Sequence, residues 1–568
     1  MSSFLQFAQI QSAHGNAASA EQQILAKFHE QPHPPSADFG LALAHCNLQL
    51  ERLEQAQACL DRVLLDHGDS VELLQLAYSL ALRRNEGGCD VALRQRLQAH
   101  CHQLPIALLW LDSLIAQLDA PAAIAWAQQL MQQWPQEETV LQAIRDLAWQ
   151  LQDATLLPPS TPMALWEGRR HWLEGNRELA EQMLRLCLSD CDQPLELKLQ
   201  ALHTLVFQLH PQQAEPLLTP YLQLLTSSPN WAWCFGRALL AAGVWPLGWQ
   251  LYEQRYHSSD RAQILPPGFP LIGMELLQTP EALKSCHILL YGEQGIGDVL
   301  MFAAMLPQLQ ADLDLAGGSL QLLLPPRLVP LMQASFPKLA IASSYPDQSL
   351  RQLNLACSIG SLGQIYRSSA QSFKGLSPHL QVPDQLKSTW RQRLGELGPG
   401  LKVGIAWRGG GTLGNRQQRS LALEQLLPVL QQPGIHWINL QYGHDPGELA
   451  GINQNHGIEI HHFSGISVDL LATAGLTAVL DLVITVQQTA LHIAAGLGVP
   501  VWGLLPYRAE WRYGLDGAQM AWYPSVELFR QKAPGDWQEM IKTMACRLGR
   551  LQGDQNGLFS PISNGDRS

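Results

Sequence analysis

Leu482–Leu505 reads LVITVQQTALHIAAGLGVPVWGLL. It opens on an uninterrupted apolar run, Leu482–Val486, and closes on another, Val501–Leu505. Short runs with no polar alternation are the mark of strands buried on both faces. Between them a helix starts near Gln488, and Gly496, Gly498 and Pro500 end it. Strand, helix and strand make one βαβ unit, and such units build parallel sheets.

The same grammar extends outward. His287–Tyr291 (HILLY), Leu320–Leu324 (LQLLL), Val403–Trp407 (VGIAW) and Trp437–Gln441 (WINLQ) are further apolar runs separated by helical stretches. A boundary falls near Ser377–Pro399, where HLQVP ends one sheet region and Gly398-Pro399-Gly400 precedes a fresh strand. The pattern predicts two Rossmann-like domains, residues 284–385 and 400–550, facing each other across a cleft, with 551–568 a flexible tail.

Upstream the period changes. The first 256 residues show apolar positions three and four apart and no long strand pattern. From Ala37 to Ser70 there are 34 residues, with Ala44 at the eighth place, Ala56 at the twentieth, Leu60 at the twenty-fourth and Val63 at the twenty-seventh. The same frame from Thr161 gives Gly168, Ala180, Leu184 and Cys187, and from Pro229 it gives Gly236, Gly248, Tyr252 and Arg255. Small residues belong where two helices approach closely. The frame resembles tetratricopeptide repeats, about five to seven helix pairs over 37–256 after a helical extension at 1–36. Such arrays form an α-solenoid whose concave face binds peptides or proteins; the alternative is that the array only packs on the second half of the chain. Residues 257–283, with Pro266, Pro267, Gly268, Pro270 and Pro280, read as the linker or a closely packed connecting segment. The fold class is therefore α + α/β.

Composition narrows the function. With 46% hydrophobic residues the chain has ample apolar surface to bury, which excludes disorder over most of its length. A formal charge of -12 argues against a sequence-independent nucleic-acid binder. Ten cysteines with no C-x-x-C pair do not make a disulfide scaffold or a zinc knuckle. Adjacent His100, Cys101 and His102 rarely converge on one metal, and no metal site is expected. The N-terminus carries no secretory signature and no stretch suits a spanning helix, so a soluble cytoplasmic protein is expected.

Chemistry concentrates in three loops at strand ends. After HILLY comes Gly292-Glu293-Gln294-Gly295-Ile296-Gly297-Asp298. Gly292, Gly295 and Gly297 permit a tight turn and close backbone approach. Asp298 is either an N-cap of the following helix or a carboxylate that takes a proton from an acceptor hydroxyl. After VGIAW come Arg408, Gly409, Gly410 and Gly411, then Arg416 and Arg419. Backbone donors and guanidinium groups suit phosphate oxygens; the alternative is a mobile loop with solvated arginines. After LVITV, Gln487, Gln488, Thr489 and Ala490 open a helix whose free amides form an anion site. His492, one turn in, is a packed histidine or a donor to phosphate or sugar.

These blocks together resemble the heptosyltransferase-like glycosyltransferases of the GT-B fold, in the subgroup with N-terminal tetratricopeptide repeats. The resemblance covers about residues 229–550 and rests on GVWPLGWQLYEQRY, GEQGIGDVLMFAAMLPQL, VGIAWRGGGTLGNRQQRSL, DLVITVQQTALHIAAGLGVPVWGLLP and YRAEWRYGLDGAQMAWYPSVELFRQ. It implies sugar transfer from a nucleotide-sugar co-substrate, with inversion and with neither an essential metal nor a further cofactor. It implies Asp298 as base, Arg416 and Arg419 near donor phosphate, and Gln487, Gln488, Thr489, Ala490 and His492 at the donor cradle. Glu510, Trp511 and Arg512 would wall the donor pocket, or else simply pack beside the cleft. The family usually has Asp where this chain has Gln487, and many relatives have Asn-Pro where it has Arg408 to Gly411. The expected partner is a protein or peptide acceptor held by the repeats. The alternatives are a lipopolysaccharide or other glycan acceptor, or a binding scaffold whose transferase half is vestigial.

Overall fold

The structure, a computed structural model, describes residues 4–13, 17–29, 37–50, 52–83, 91–117, 119–158, 164–190, 192–207, 211–258, 271–315, 317–344, 353–410, 413–443, 446–466 and 469–551. The predicted tail at 551–568, apart from its first residue, and most of the prolines of the predicted linker lie outside the described residues. The chain divides into two compact units: Met1–Pro159 with Gly411–Gln417, and Ser160–Gly410 with Gln418–Ser568.

The first unit is helical. Ala37–Gln49 and Leu53–His67 form its tightest hairpin, with Ala44, Ala56, Leu60 and Val63 all buried. A Cβ on Gly40 would lie 2.3 Å from Val63 Cγ2, so the helices meet at van der Waals distance. Val71–Arg83, Val91–Ala99, Leu104–Ala116, Ala120–Gln133 and Glu138–Leu151 follow. His100 Nε2 lies 3.3 Å from the Asp69 carboxylate.

The second unit also begins with helix hairpins. Ala164–Leu173 packs on Arg177–Ser189, and Pro229–Ala241 packs on Trp245–Tyr252. A Cβ on Gly168 would sit 2.7 Å from Leu184 Cγ, and one on Gly236 2.5 Å from the Tyr252 nitrogen. The frames beginning at Ala37, Thr161 and Pro229 thus fall on three hairpins, with small residues at each close approach.

Two sheets follow. The first contains β1 (His287–Tyr291), β2 (Ser319–Leu323), β3 (Ala340–Ala342) and β4 (Leu355–Ser358), all parallel, in the order β3-β2-β1-β4. The second contains β5 (Leu401–Ala406), β6 (Ile435–Asn439), β7 (Ile460–His461), β8 (Leu482–Val486), β9 (Val501–Leu505), β10 (Gln519–Met520) and β11 (Tyr523–Arg530). Its order is β10-β11-β9-β8-β5-β6-β7, parallel except for β10 against β11. β1, β8 and β9 have the bounds their apolar runs predict, while β2, β5 and β6 start one or two residues earlier.

The second sheet is covered on both faces, as parallel sheets are. Val403, Ile405, Ile484 and Leu504 face a core with Met540, Ile541, Met544 and Leu548 of helix Gln538–Leu551. Val483, Val501 and Leu505 belong to a larger core that also holds the first sheet and Trp233, Trp249 and Tyr252 of the last hairpin. That hairpin is therefore packed into the sheets. The end of the predicted linker joins them too, since Ile272 bridges antiparallel to Ala356 of β4. Among the described residues no helix is long and apolar enough to cross a membrane.

Candidate functional site

Each sheet reverses its strand order once in its interior, between β1 and β4 in the first and between β5 and β8 in the second. A crevice opens at the carboxyl ends of strands on either side of such a reversal, because their connections leave in opposite directions. All three loops marked by the sequence leave strands at these reversals.

In the loop after β1, none of Gly292, Gly295 and Gly297 has a positive φ; the left-handed residue is Gln294, at φ 56°. The expectation that the glycines make the tight turn is corrected. A side chain in that region costs about 1–2 kcal/mol and needs holding. Gln294 Nε2 donates to Tyr252 Oη at 2.5 Å, and Tyr252 Oη donates to Glu293 Oε1 at 3.2 Å. Close approach does explain Gly297, where a Cβ would come 2.8 Å from His492 Cδ2. The helix begins at Ile296 with Gly295 as its N-cap, so Asp298 is the third residue of the helix and not the cap itself. Its Oδ2 accepts the Gly295 N–H at 3.1 Å, and its Oδ1 pairs with Arg512 Nη2.

Behind this loop lies a buried charge cluster that sequence reasoning missed. Arg255, fully buried, donates from Nε to Glu293 Oε2 at 2.9 Å, from Nη1 to Glu253 Oε1 at 2.5 Å and from Nη2 to Ser361 Oγ at 2.9 Å. Burial pushes the Glu293 carboxyl up despite the adjacent guanidinium. Gly360, after β4, admits the carboxylate: a Cβ there would lie 2.0 Å from Glu293 Oε1. The only local hint was the YEQRY run.

The loop after β5 is held differently. Gln441, two residues past β6, accepts the N–H groups of Trp407 at 2.9 Å and Arg408 at 2.8 Å on one oxygen. Gly409 N donates to Ser420 Oγ at 3.0 Å. These three backbone donors are spent inside the chain and are not free for a phosphate. Gly409 instead makes room for Arg419, whose Cγ would lie 2.5 Å from a Cβ there. Arg419 bonds to the Gly410 carbonyl, while Arg416 is an exposed residue of helix Leu413–Gln418.

After β8, Gln488 is the N-cap of helix Thr489–Gly496 and makes no side-chain cap hydrogen bond. Thr489 is half-buried and Ala490 buried. Buried Gln487 accepts the Glu510 N–H at 3.2 Å. His492 is also buried, with Nδ1 3.2 Å from Tyr523 Oη and Nε2 3.3 Å from Tyr513 Oη. Burial, with Arg512 nearby, lowers its pKa well below the ordinary value and keeps the ring neutral. Both ring nitrogens are occupied by phenols, which matches the packed reading of this histidine and not a donor to phosphate.

Glu510, Trp511 and Arg512 follow β9. Trp511 is buried against Trp249, Tyr252, Phe302 and Trp522, where it joins the helical hairpin to both sheets. It packs among these rings. Burial alone would raise the Glu510 pKa, yet Arg512, Arg237, Arg419 and Arg508 hold it below the usual range. Burial would weaken the proton's hold on Arg512, but Asp298 and Glu510 raise its pKa. Four guanidinium groups around Glu510 against two carboxylates leave a surplus of positive charge in an otherwise acidic protein. The structure therefore brings Asp298, Arg419, Glu510 and Arg512 into one electrostatic group, with Gln487 and His492 at its edge. Arg237 and Arg508 join them without having been predicted.

No protein-family model matches the chain. Protein FlbA of Caulobacter vibrioides (strain ATCC 19089 / CIP 103742 / CB 15) is 31% identical over 333 residues, 55% of this chain and 54% of that protein. The chain thus spans about half the length of the curated relative it matches. Among solved structures, the glycosyl transferase family 9 protein of Veillonella parvula DSM 2008 is 12% identical, with 46% of this chain and 90% of that chain covered and a TM-score of 0.34. The ADP-heptose LPS heptosyltransferase II of E. coli is 14% identical, with 47% and 99% covered and a TM-score of 0.35. At such scores the chemistry of the site rests on its own residues.

Proposed function

We propose that the chain is a glycosyltransferase that moves a sugar from a nucleotide-sugar to an acceptor hydroxyl. The observation that carries this reading is the pairing of Asp298, from the strand reversal of the first sheet, with Arg512, from the second. It puts a carboxylate from one sheet beside a cationic surplus on the other, next to the uncapped start of helix Thr489–Gly496. The donor diphosphate supplies the anion that this surplus requires. As it binds, Arg512 turns from Asp298 to phosphate, and the freed carboxylate accepts the proton of the attacking hydroxyl. Leaving-group charge is then met by guanidinium groups and helix amides already in place, which lowers the barrier without reorganisation. Arg419 and Arg512 bind phosphate, Gln488 and Thr489 contribute helix-start donors, and His492 shapes the wall. The helical repeats hold a protein or peptide acceptor.

A thermal-shift screen against UDP, GDP, ADP, CMP and their sugar conjugates tests this, since a ligand of the native state raises the midpoint. One nucleotide should give a clear shift that Arg419→Ala and Arg512→Ala abolish. Asp298→Asn should keep that shift and slow nucleotide release by about 10²–10⁴-fold. No shift with any donor at millimolar concentration would sink the proposal. The rival reading, a non-catalytic scaffold, draws on two facts: both Asp298 oxygens are engaged within the chain, and Gln487 is an amide. It requires that Asp298→Asn change nothing beyond stability.

A further inference from the structure

The helical frame carries apolar residues at its twenty-fourth and twenty-seventh places in two hairpins, Leu60 with Val63 and Leu184 with Cys187. In the third hairpin the same places hold Tyr252 and Arg255, both fully buried. Burying a guanidinium and a phenol where an aliphatic pair would pack is unfavourable unless each finds partners. Arg255 finds part of its partners on its own hairpin, the Tyr252 carbonyl, Glu253 and Tyr256, and the rest lie outside it. Arg255 reaches Glu293 and Ser361, and Tyr252 reaches Glu293 and Gln294, residues of the loops after β1 and β4.

Consecutive contacts join this hairpin to the carboxylate. Arg255 fixes Glu293. Glu293 accepts from Tyr252 Oη, which orients the phenol oxygen to accept from Gln294 Nε2. Burial and the Glu293 charge raise the Tyr252 pKa, so the phenol keeps the proton it donates. Gln294 is thereby held at φ 56°, and this turn delivers the Gly295 N–H to Asp298 Oδ2. We propose that Tyr252 is a positioning residue for Asp298, acting through Gln294, so that the last helical hairpin sets the geometry of the transfer site. The catalytic half of this inference rests on the reading of Asp298 as base; the mechanical half does not.

The test compares two phenols of one network. Tyr256 is equally buried and bonds to Ser358 N at 3.0 Å and to Arg255, on the β4 side. In the full chain, hydrogen exchange of the 292–299 amides should quicken about 3- to 10-fold in Tyr252→Phe, the worth of one hydrogen bond, and stay at the wild-type rate in Tyr256→Phe. Nucleotide release from a panel of UDP-, GDP-, ADP- and CMP-sugars should fall in kcat by a similar factor in Tyr252→Phe alone, with KM for the nucleotide-sugar unchanged. Equal exchange in the two variants, or wild-type exchange in Tyr252→Phe, overturns the proposal. A raised KM with unchanged kcat also overturns it. If exchange responds as expected but the wild type releases no nucleotide, the loop is positioned and the transferase reading is what fails.

Discussion

The loops after β1 and β5 look alike in sequence, each a strand running into several glycines, yet they are built on opposite plans. The first takes its sharpest turn at a glutamine and is held from outside its sheet by a buried arginine and a tyrosine of the helical hairpin. The second is held by a neutral amide of its own sheet region, Gln441, and by the Ser420 hydroxyl, and Gly409 makes room for an arginine. Glycine content signals that something must come close. It does not say whether that neighbour is a ligand, a side chain or the backbone itself.

The largest effect is expected from removing the charge on which only the first loop depends. Arg255→Met leaves Glu293 buried without its guanidinium and should cost about 3–5 kcal/mol in urea unfolding. The pH dependence gives a signature. Without Arg255, burial raises the Glu293 pKa further above its unfolded value, so the folded variant binds a proton that the unfolded chain has released. A raised folded pKa stabilises below the unfolded value and loses that contribution as pH rises. The deficit against wild type should shrink as pH is lowered from neutrality towards the ordinary glutamate range. A pH-independent deficit would mean that lost packing, not the stranded carboxylate, sets the cost.

What the sequence made legible follows from locality. β1, β8 and β9 are short, apolar and continuous, so each announces itself within five residues. β11 does not, because YPSVELFR alternates buried and half-exposed positions around a proline and reads as irregular. β4, LACS, is too short to stand out. Asp298 was legible because it follows a strand and glycines directly. The Arg255–Glu293 pair spans 38 residues and the Gln441 clamp on Trp407 spans 34, and no local pattern joins such partners. Gln294 was hidden because the left-handed position was sought among the glycines. His492 was legible as a packed histidine or a ligand, but its partners were not, since the two tyrosines that occupy it arrive from later in the chain.

A smaller effect is expected from the second loop's clamp. Gln441→Ala leaves the Trp407 and Arg408 N–H groups without their acceptor. Trp407 is fully buried, so water cannot fully replace the bond. The cost should be about 2–4 kcal/mol, read as a shift of the denaturation midpoint with unchanged slope. Exchange should quicken at 406–410 and remain as in wild type at 292–299, because the first loop takes no bond from Gln441. Quickening in both loops would show that the two are one cooperative unit and that the contrast between them is local appearance only.

The smallest effects sharpen the contrast between glycines themselves. Gly297→Ala places a Cβ 2.8 Å from His492 Cδ2, inside the closest approach that real side chains make. The imidazole cannot simply swing aside, since it is buried and hydrogen-bonded to Tyr513 and Tyr523. Either the ring shifts and lengthens one of those bonds, or helix Ile296–Phe302 moves back from helix Thr489–Gly496. Each route should cost about 1–3 kcal/mol, the usual range for overpacking. Gly410→Ala meets nothing within 4 Å and Gly410 has no positive φ, so it should change stability by less than about 0.5 kcal/mol. The pair separates two uses of glycine that the sequence writes alike. If Gly410→Ala proved the costlier of the two, the loop after β5 would have to be as tightly enclosed as the contact between the two helices.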